Sequence, residues 1–121
     1  MAFEDTVIAL DLLPLGWQIG FVSQLKQELI ETLGIFVDDF EIIDAKEKYG
    51  ALRIYWMWKE REYTEHEIKK LSILYDYVAD VIYKYEKISM RTCILCGKHG
   101  DMKYYAPTLC EECYKRYKWT S

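Results

Sequence analysis

The chain has 121 residues, a formal net charge of −4 and a hydrophobic fraction of 51%, including 11 Tyr and 4 Trp. This composition excludes a disordered chain, because it supplies enough apolar surface to build a core. The charge excludes a strong polyanion-binding footprint over the whole chain. Residues 1–83 contain 16 acidic and 8 basic residues, whereas residues 84–121 contain 4 acidic and 8 basic residues. The C-terminal part is therefore mildly basic beside an acidic body, which is less than a strong polyanion-binding footprint.

The first residues lack the pattern of a signal peptide. Acidic residues stand where a signal peptide has basic ones, and Asp11 and Pro14 interrupt the apolar run. No stretch has the roughly 20 apolar residues needed to cross a bilayer. We therefore expect a cytoplasmic protein, in a reducing compartment where paired cysteines favour metal over disulfides.

Two segments have the apolar spacing of amphipathic helices. Over residues 17–33 apolar side chains recur every three or four positions, and Gly34 ends the pattern. The second helix starts with a capping box formed by Thr64 and Glu67, and it continues to about residue 88. Its apolar stripe is formed by Ile68, Leu71, Tyr75, Val78, Ile82 and Tyr85. A helix of this length spans roughly 36 Å, so part of the stripe is expected to meet another element or a second chain.

The residues between the helices predict a β-hairpin. Residues 40–46 are rich in strand formers with imperfect alternation, residues 52–58 alternate clearly, and residues 47–50 supply a turn. One face of the second strand is formed by Leu52, Ile54, Trp56 and Trp58. A two-stranded ribbon alone is marginally stable, so we expect both helices to pack on this face. The predicted fold class is α+β.

The opposite face of the hairpin is a candidate binding surface. Arg53 and Tyr55 share this face, and Lys46 and Lys48 lie close by at the strand end and turn. Such a cluster suits phosphate or the carboxylates of a partner. The alternative is a solvated sheet face of alternating charges.

The four cysteines form two C-x2-C pairs, Cys93 with Cys96 and Cys110 with Cys113. Two such pairs present four thiolates to one tetrahedral ion, and this spacing predicts a structural Zn²⁺ site. The knuckle at Cys93, a short hairpin and a helix from Cys110 together predict a treble-clef-like lobe. We expect a core over residues 1–89 and a zinc lobe over residues 90–121 that packs on it. His99 is interpreted as an exposed loop residue, because four sulfurs already complete the shell.

Catalysis has no support in the sequence. No Ser/His/Asp arrangement, phosphate-binding Gly loop or H-E-x-x-H motif occurs. A zinc ion with four sulfur ligands has no open position for water or substrate. The predicted protein is therefore not an enzyme.

Four motifs follow one another along the chain: Gly16-Trp17, the run Lys46-Glu47-Lys48-Tyr49-Gly50-Ala51-Leu52-Arg53-Ile54-Tyr55, the knuckle Cys93-Ile94-Leu95-Cys96-Gly97, and the end Leu109-Cys110-Glu111-Glu112-Cys113. In this order they resemble a group of small uncharacterised bacteriophage and prophage proteins with a Lys-Glu-Lys-Phe-Gly-Gly-Leu-Arg-Phe-Tyr strand and a terminal cysteine-rich knuckle. Tyr49 and Ala51 depart from the usual Phe and Gly, and Cys113 stands where His is common. The resemblance covers about residues 16–113. It implies a viral origin, with the host cytoplasm as location, and no particular activity.

Three functional hypotheses follow. The first is a phage-type accessory protein that binds a host protein or complex, including an inhibitor of a bacterial defence system such as CRISPR, by analogy. The second is a zinc-containing protein that binds nucleic acid or nucleotides, in which Lys103, Lys115 and Arg116 join the hairpin residues. The third is a homodimer formed through the long helix.

Overall fold

A computed structural model describes residues 3–102 and 108–120, with side chains at residues 3–100 and 108–116. The fold is α+β, as predicted, with helices packed on a two-stranded antiparallel sheet and a C-terminal cysteine cluster. Within the described part of the chain, no helix combines the length and the apolar character that a membrane crossing requires.

The N-terminal third is helical almost throughout. Helix α1 (Phe3–Thr6) continues into a 3₁₀ turn (Val7–Leu12), neither of which the sequence predicted. After Pro14 the predicted amphipathic helix forms in three pieces, namely α2 (Leu15–Trp17), a π-helical turn (Gln18–Val22) and α3 (Ser23–Leu33). Gly34 ends α3 with φ of 55°, a left-handed conformation that favours glycine.

The hairpin is longer than predicted and its turn is tighter. Strand β1 (Phe40–Lys48) pairs with β2 (Ala51–Trp58), and Tyr49 and Gly50 alone form the turn. Both turn residues have positive φ, 54° and 84°, as a two-residue turn that matches the strand twist requires. Such a conformation favours glycine, so Tyr49 is strained and depends on its surroundings.

A β-bulge explains the imperfect alternation of the first strand. Ile42 pairs with Trp56, but the next pair is Asp44 with Tyr55, so that Ile43 has no partner and is exposed. The bulge shifts the alternation by one residue. As a result, Ile42 and Ala45 both face the inner side.

Helix α4 (Glu65–Ser89) begins at the predicted capping box. Thr64 Oγ1 accepts a hydrogen bond from the Glu67 amide at 3.1 Å, and Glu67 Oε1 accepts one from the Thr64 amide at 2.9 Å. Most of the predicted stripe is buried in the core. Ile68 and Tyr75 are the exceptions, 54% and 49% exposed.

One core joins the N-terminal helices, the inner face of the hairpin and α4. Its buried residues are Phe3, Val7, Leu10, Leu13, Trp17, Phe21, Val22, Leu25, Leu29, Leu33, Phe40, Ile42, Leu52, Ile54, Val78, Ile82 and Tyr85. Burial of this apolar surface is the main source of stability. The core leaves the outer face of the hairpin and the outer side of α4 to solvent.

The C-terminal lobe has the predicted order of knuckle, hairpin and helix. Short strands β3 (Asp101–Met102) and β4 (Thr108–Leu109) pair in antiparallel fashion, and α5 (Glu111–Thr120) follows. The knuckle lies against the helical segment that starts at Leu15, where the Gly16 amide donates a hydrogen bond to the Ile94 carbonyl at 2.7 Å. The cysteines are thereby held beside the core.

Candidate metal centre

The four cysteine sulfurs form one compact cluster. The Sγ atoms of Cys93, Cys96, Cys110 and Cys113 all lie within 4.8 Å of one another. A tetrahedral zinc ion with bonds of about 2.3 Å would place its sulfurs about 3.8 Å apart. The sulfurs of Cys96 and Cys110 are 3.6 Å apart, and all four thiols are free. The cluster therefore has the dimensions of a metal site, and its shortest separation is well beyond a disulfide bond of about 2 Å.

Local backbone structure aims each pair of sulfurs. In the knuckle, the Cys93 amide donates to the Lys98 carbonyl at 2.7 Å and the Gly97 amide donates to the Cys93 carbonyl at 3.0 Å. Gly97 has φ of 81°, which lets the chain turn back sharply after Cys96. The second pair straddles the start of α5, since Cys110 precedes the helix and Cys113 lies in its first turn.

The environment of the sulfurs opposes the simultaneous ionisation of all four thiols. Burial raises the pKa of Cys93, but hydrogen bonds from the backbone amides of Cys110, Cys96 and Leu95 outweigh this and lower it to about 7. Burial and the adjacent thiols raise the pKa of Cys113 to about 12. A divalent cation among the sulfurs would reverse this effect, because it stabilises coordinating thiolates directly.

Four sulfurs around one tetrahedral ion would fill its coordination shell and leave no position for water or substrate. His99 lies outside the cluster, is exposed and pairs through its backbone with Thr92. Among the residues with described side chains, only the four cysteines form a cluster able to hold a metal ion.

The candidate residues of the hairpin lie close together. Lys46 pairs with Arg53 across the two strands, and Lys46 Nζ lies 5.9 Å from the ring centre of Tyr55. Lys48 sits beside the turn with its Nζ 5.8 Å from the Tyr49 ring. The positive charge of this surface is partly neutralised, because Asp44 forms a 3.5 Å ion pair with Lys46. Their role in binding stays a prediction.

The candidate residues of the tail are only partly described. Lys103 lies outside the described residues. Lys115 is exposed and pairs with Glu111 one helical turn away at 3.4 Å, and Arg116 is exposed on the same helix. Thr108, two residues before Cys110, donates a hydrogen bond to the Gly50 carbonyl at 2.9 Å. This contact places β4 beside the tip of the hairpin.

Sequence reasoning missed an apolar groove beside α4. The groove has a volume of about 420 Å³ and is lined by Trp58, Tyr63, Ile68, Leu71, Ser72 and Tyr75. One of its lining residues, Tyr75, stacks on Trp56 with ring centres 4.8 Å apart. The apolar spacing predicts Ile68 and Tyr75 as members of the stripe of α4. Periodicity alone does not show which residues of such a stripe another element covers.

The chain matches no known family model, no curated protein and no solved structure. The resemblance to phage proteins in the strand and knuckle motifs therefore stays a prediction. Function is inferred below from the geometry of the cluster and of the exposed surfaces.

Proposed function

We propose that the four cysteines hold a structural Zn²⁺ ion. The donor set supports this assignment, since soft thiolates in a tetrahedral arrangement select zinc or iron–sulfur chemistry, and a compact four-sulfur cluster fits one ion. The order of knuckle, hairpin and helix around it is that of a treble-clef zinc finger. Purified protein should contain one zinc per chain by elemental analysis. Iron with inorganic sulfide in place of zinc would overturn the assignment.

We propose further that the chain is a non-enzymatic, phage-type accessory protein that binds a host protein. The observation that supports this function is the exposed apolar surface of α4 and its groove. Its large exposed side chains are Ile68, Ile73, Tyr75, Tyr77 and Tyr83. Ile68 and Tyr75 line the groove, and the other three are exposed on α4 beyond it. Exposed apolar residues that lie together mark interaction sites, and tyrosine is enriched where proteins meet.

The groove has the layout of an anchor site with a polar rim. Arg61 borders it, pairs with Asp39 at 2.7 Å and with Glu67 at 3.2 Å, and lies 3.9 Å from the centre of the Tyr63 ring. These pairs fix the wall around an apolar floor, so that a partner's side chain meets a preformed pocket. A bacterial defence complex such as a CRISPR nuclease is the proposed class of partner, on the resemblance and analogy alone.

A matched pair of variants tests the groove. The full zinc-loaded chain is used to capture partners from host lysate and from a panel of purified defence nucleases. Ile68→Asp should abolish capture of the specific partner, because it places a charge in the groove. Ile35→Asp, at a residue that is 83% exposed on another part of the surface, should leave capture unchanged. Equal capture by both variants would remove the groove from the binding site.

The second candidate function is binding of nucleic acid or nucleotides. It is favoured by the contact between Thr108 and Gly50, which brings β4 of the C-terminal lobe beside the basic hairpin tip. Phosphate contacts of Lys46, Arg53 and Arg116 would make affinity fall steeply with salt. Binding of a single-stranded oligonucleotide that weakens with salt and is lost in Arg53→Ala would support this function, and no binding at low salt would dismiss it.

We propose as a third possibility a homodimer through the long helix. Val78 of the predicted stripe is fully buried in the core, so a charged substitution there would unfold the protein instead of reporting on association. Ile73 is on the exposed side of α4 and is the better position. A dimer in light scattering that becomes a monomer in Ile73→Glu would support this mode of assembly, whereas a monomeric wild-type chain would exclude it.

A further inference from the structure

The metal cluster and the hairpin tip are connected by a short chain of buried contacts. The Ile94 amide in the knuckle donates to the Thr108 carbonyl at 3.0 Å, and Thr108 Oγ1 donates to the Gly50 carbonyl at 2.9 Å. Thr108 is fully buried and lies two residues before Cys110. The backbone that carries one sulfur pair is therefore linked through a single threonine to the turn of the hairpin.

The turn needs such a support. Tyr49 is held at φ of 54°, and the Gly50 amide is satisfied by Glu47 Oε2 at 2.7 Å. The other side of the tip is fixed where the Leu52 amide donates to Ser89 Oγ at 2.8 Å. Residues held in a left-handed conformation persist only where neighbouring contacts determine them. The hydroxyl of Thr108 supplies one of these contacts from the lobe.

The knuckle also lies directly against the backbone of the N-terminal helical segment. A methyl group at Gly16 would come within 2.0 Å of the Cys93 carbonyl oxygen, and one at Gly97 within 2.7 Å of the Gly16 carbonyl oxygen. The Trp17 indole donates to the Thr92 carbonyl at 3.2 Å in the buried interior. Because no side chain lies between the two backbones, a shift of the knuckle would move the N-terminal helical segment with it.

We infer that metal binding controls the conformation of the hairpin tip. The loaded cluster fixes β4, Thr108 fixes the Tyr49–Gly50 turn, and the turn sets how Lys46, Arg53 and Tyr55 are presented. Loss of the metal releases Thr108 and lets the turn relax. The lobe thus acts as a metal-dependent switch that controls how the outer face of the hairpin is presented, in addition to its structural role. The coupling rests on the proposed zinc site.

Amide hydrogen exchange of the full chain, followed by NMR, tests the coupling. The Gly50 and Leu52 amides report on the turn, and the Cys93 and Ile94 amides report on the lobe. Zinc removal by a chelator should reduce the protection of all four by at least tenfold, while amides in α3 change less. Loss of protection in the lobe with unchanged Gly50 and Leu52 would overturn the coupling and leave the metal site intact. Absence of bound metal in the purified protein would instead show that the proposed zinc site is wrong.

Two variants distinguish the loss of the hydrogen bond between Thr108 and Gly50 from a general destabilisation of the lobe. Thr108→Val keeps the shape but removes the hydroxyl, so the zinc-loaded variant should retain stoichiometric metal yet lose protection at Gly50. Thr108→Ser keeps the hydroxyl and should retain protection. Thr32→Val makes the same change on α3, away from the lobe, and serves as the control. Unchanged Gly50 protection in zinc-loaded Thr108→Val would overturn the role of this residue, and so would equal loss in Thr108→Ser.

Discussion

The helix and hairpin core and the cysteine lobe maintain their structures by different means. Among the described residues the core buries a continuous cluster of seventeen apolar side chains. Among the residues of the lobe that have described side chains, Cys93, Leu109 and Cys110 form a buried cluster, and two of these three are candidate metal ligands. We expect sulfur ligation and the contacts with the core to supply much of the stability of the lobe.

Loss of a ligand should give the largest effect, because it acts on the lobe's main support. Cys96→Ser is expected to abolish stoichiometric zinc binding and unfold the lobe, whereas the helical signal of the core in circular dichroism is largely kept. Structural zinc contributes about 10 kcal/mol or more in small zinc-binding folds. Elemental analysis and amide exchange over residues 92–100 measure the change. His99→Ala is the control and should keep the metal, so loss of zinc in that variant would contradict the four-sulfur shell.

A cavity in the core should have the opposite result, with a less stable core and an unchanged metal site. Leu29 is fully buried in α3, and Leu29→Ala is expected to lower the free energy of unfolding by about 2–5 kcal/mol in urea titrations. Zinc content should not change. Ile30→Ala, at the neighbouring residue that is 42% exposed, should lower the free energy of unfolding much less. An equal decrease in the two variants would show that α3 does not pack as described.

The sequence predicted the local features of these two regions and missed the features that depend on long-range contacts. The capping box at Thr64 and the spacing of the cysteines are local patterns, and both are confirmed as geometry. The sequence did not predict the turns over residues 3–12, because the contacts that position them are tertiary: the Ile42 amide donates to Thr6 Oγ1 at 2.8 Å, and Phe3 packs on Phe40. The bond between Thr108 and Gly50 joins residues 58 positions apart, and no local pattern encodes it.

The junction between the two regions is tested by a graded pair of glycine variants. A methyl group at Gly16 meets backbone at 2.0 Å, whereas one at Gly20 meets a side-chain methyl group of Thr92 at 2.8 Å. Gly16→Ala should therefore destabilise the protein by about 1–3 kcal/mol through overpacking. In Gly20→Ala the gain of about 1 kcal/mol in helix propensity offsets much of a milder clash. Thermal unfolding of the zinc-loaded variants gives the comparison, and a more stable Gly16→Ala would contradict the close approach.

The smallest expected effect is the pH dependence of the contact between α3 and α4. Hydrogen bonds from Lys84 and from Tyr85, the latter at 2.8 Å, lower the pKa of Glu28. A lowered pKa in the folded state means that the stabilisation is present above the unfolded pKa of about 4.5 and disappears as the pH falls through the folded value. The loss of stability in Glu28→Gln, measured by urea titration, should therefore be full at pH 7 and shrink below about pH 4.5.

The pH series also separates the two regions. Acid protonates thiolates and releases metal from the lobe in both proteins alike, so the difference between wild type and Glu28→Gln isolates the core contact. Glu31→Gln is the control for the removal of a carboxylate from α3, because Glu31 accepts its hydrogen bond from Gln27 on the same helix at 3.0 Å. A difference for Glu28→Gln that is unchanged between pH 7 and pH 3 would show that the carboxylate is not held by Lys84 and Tyr85.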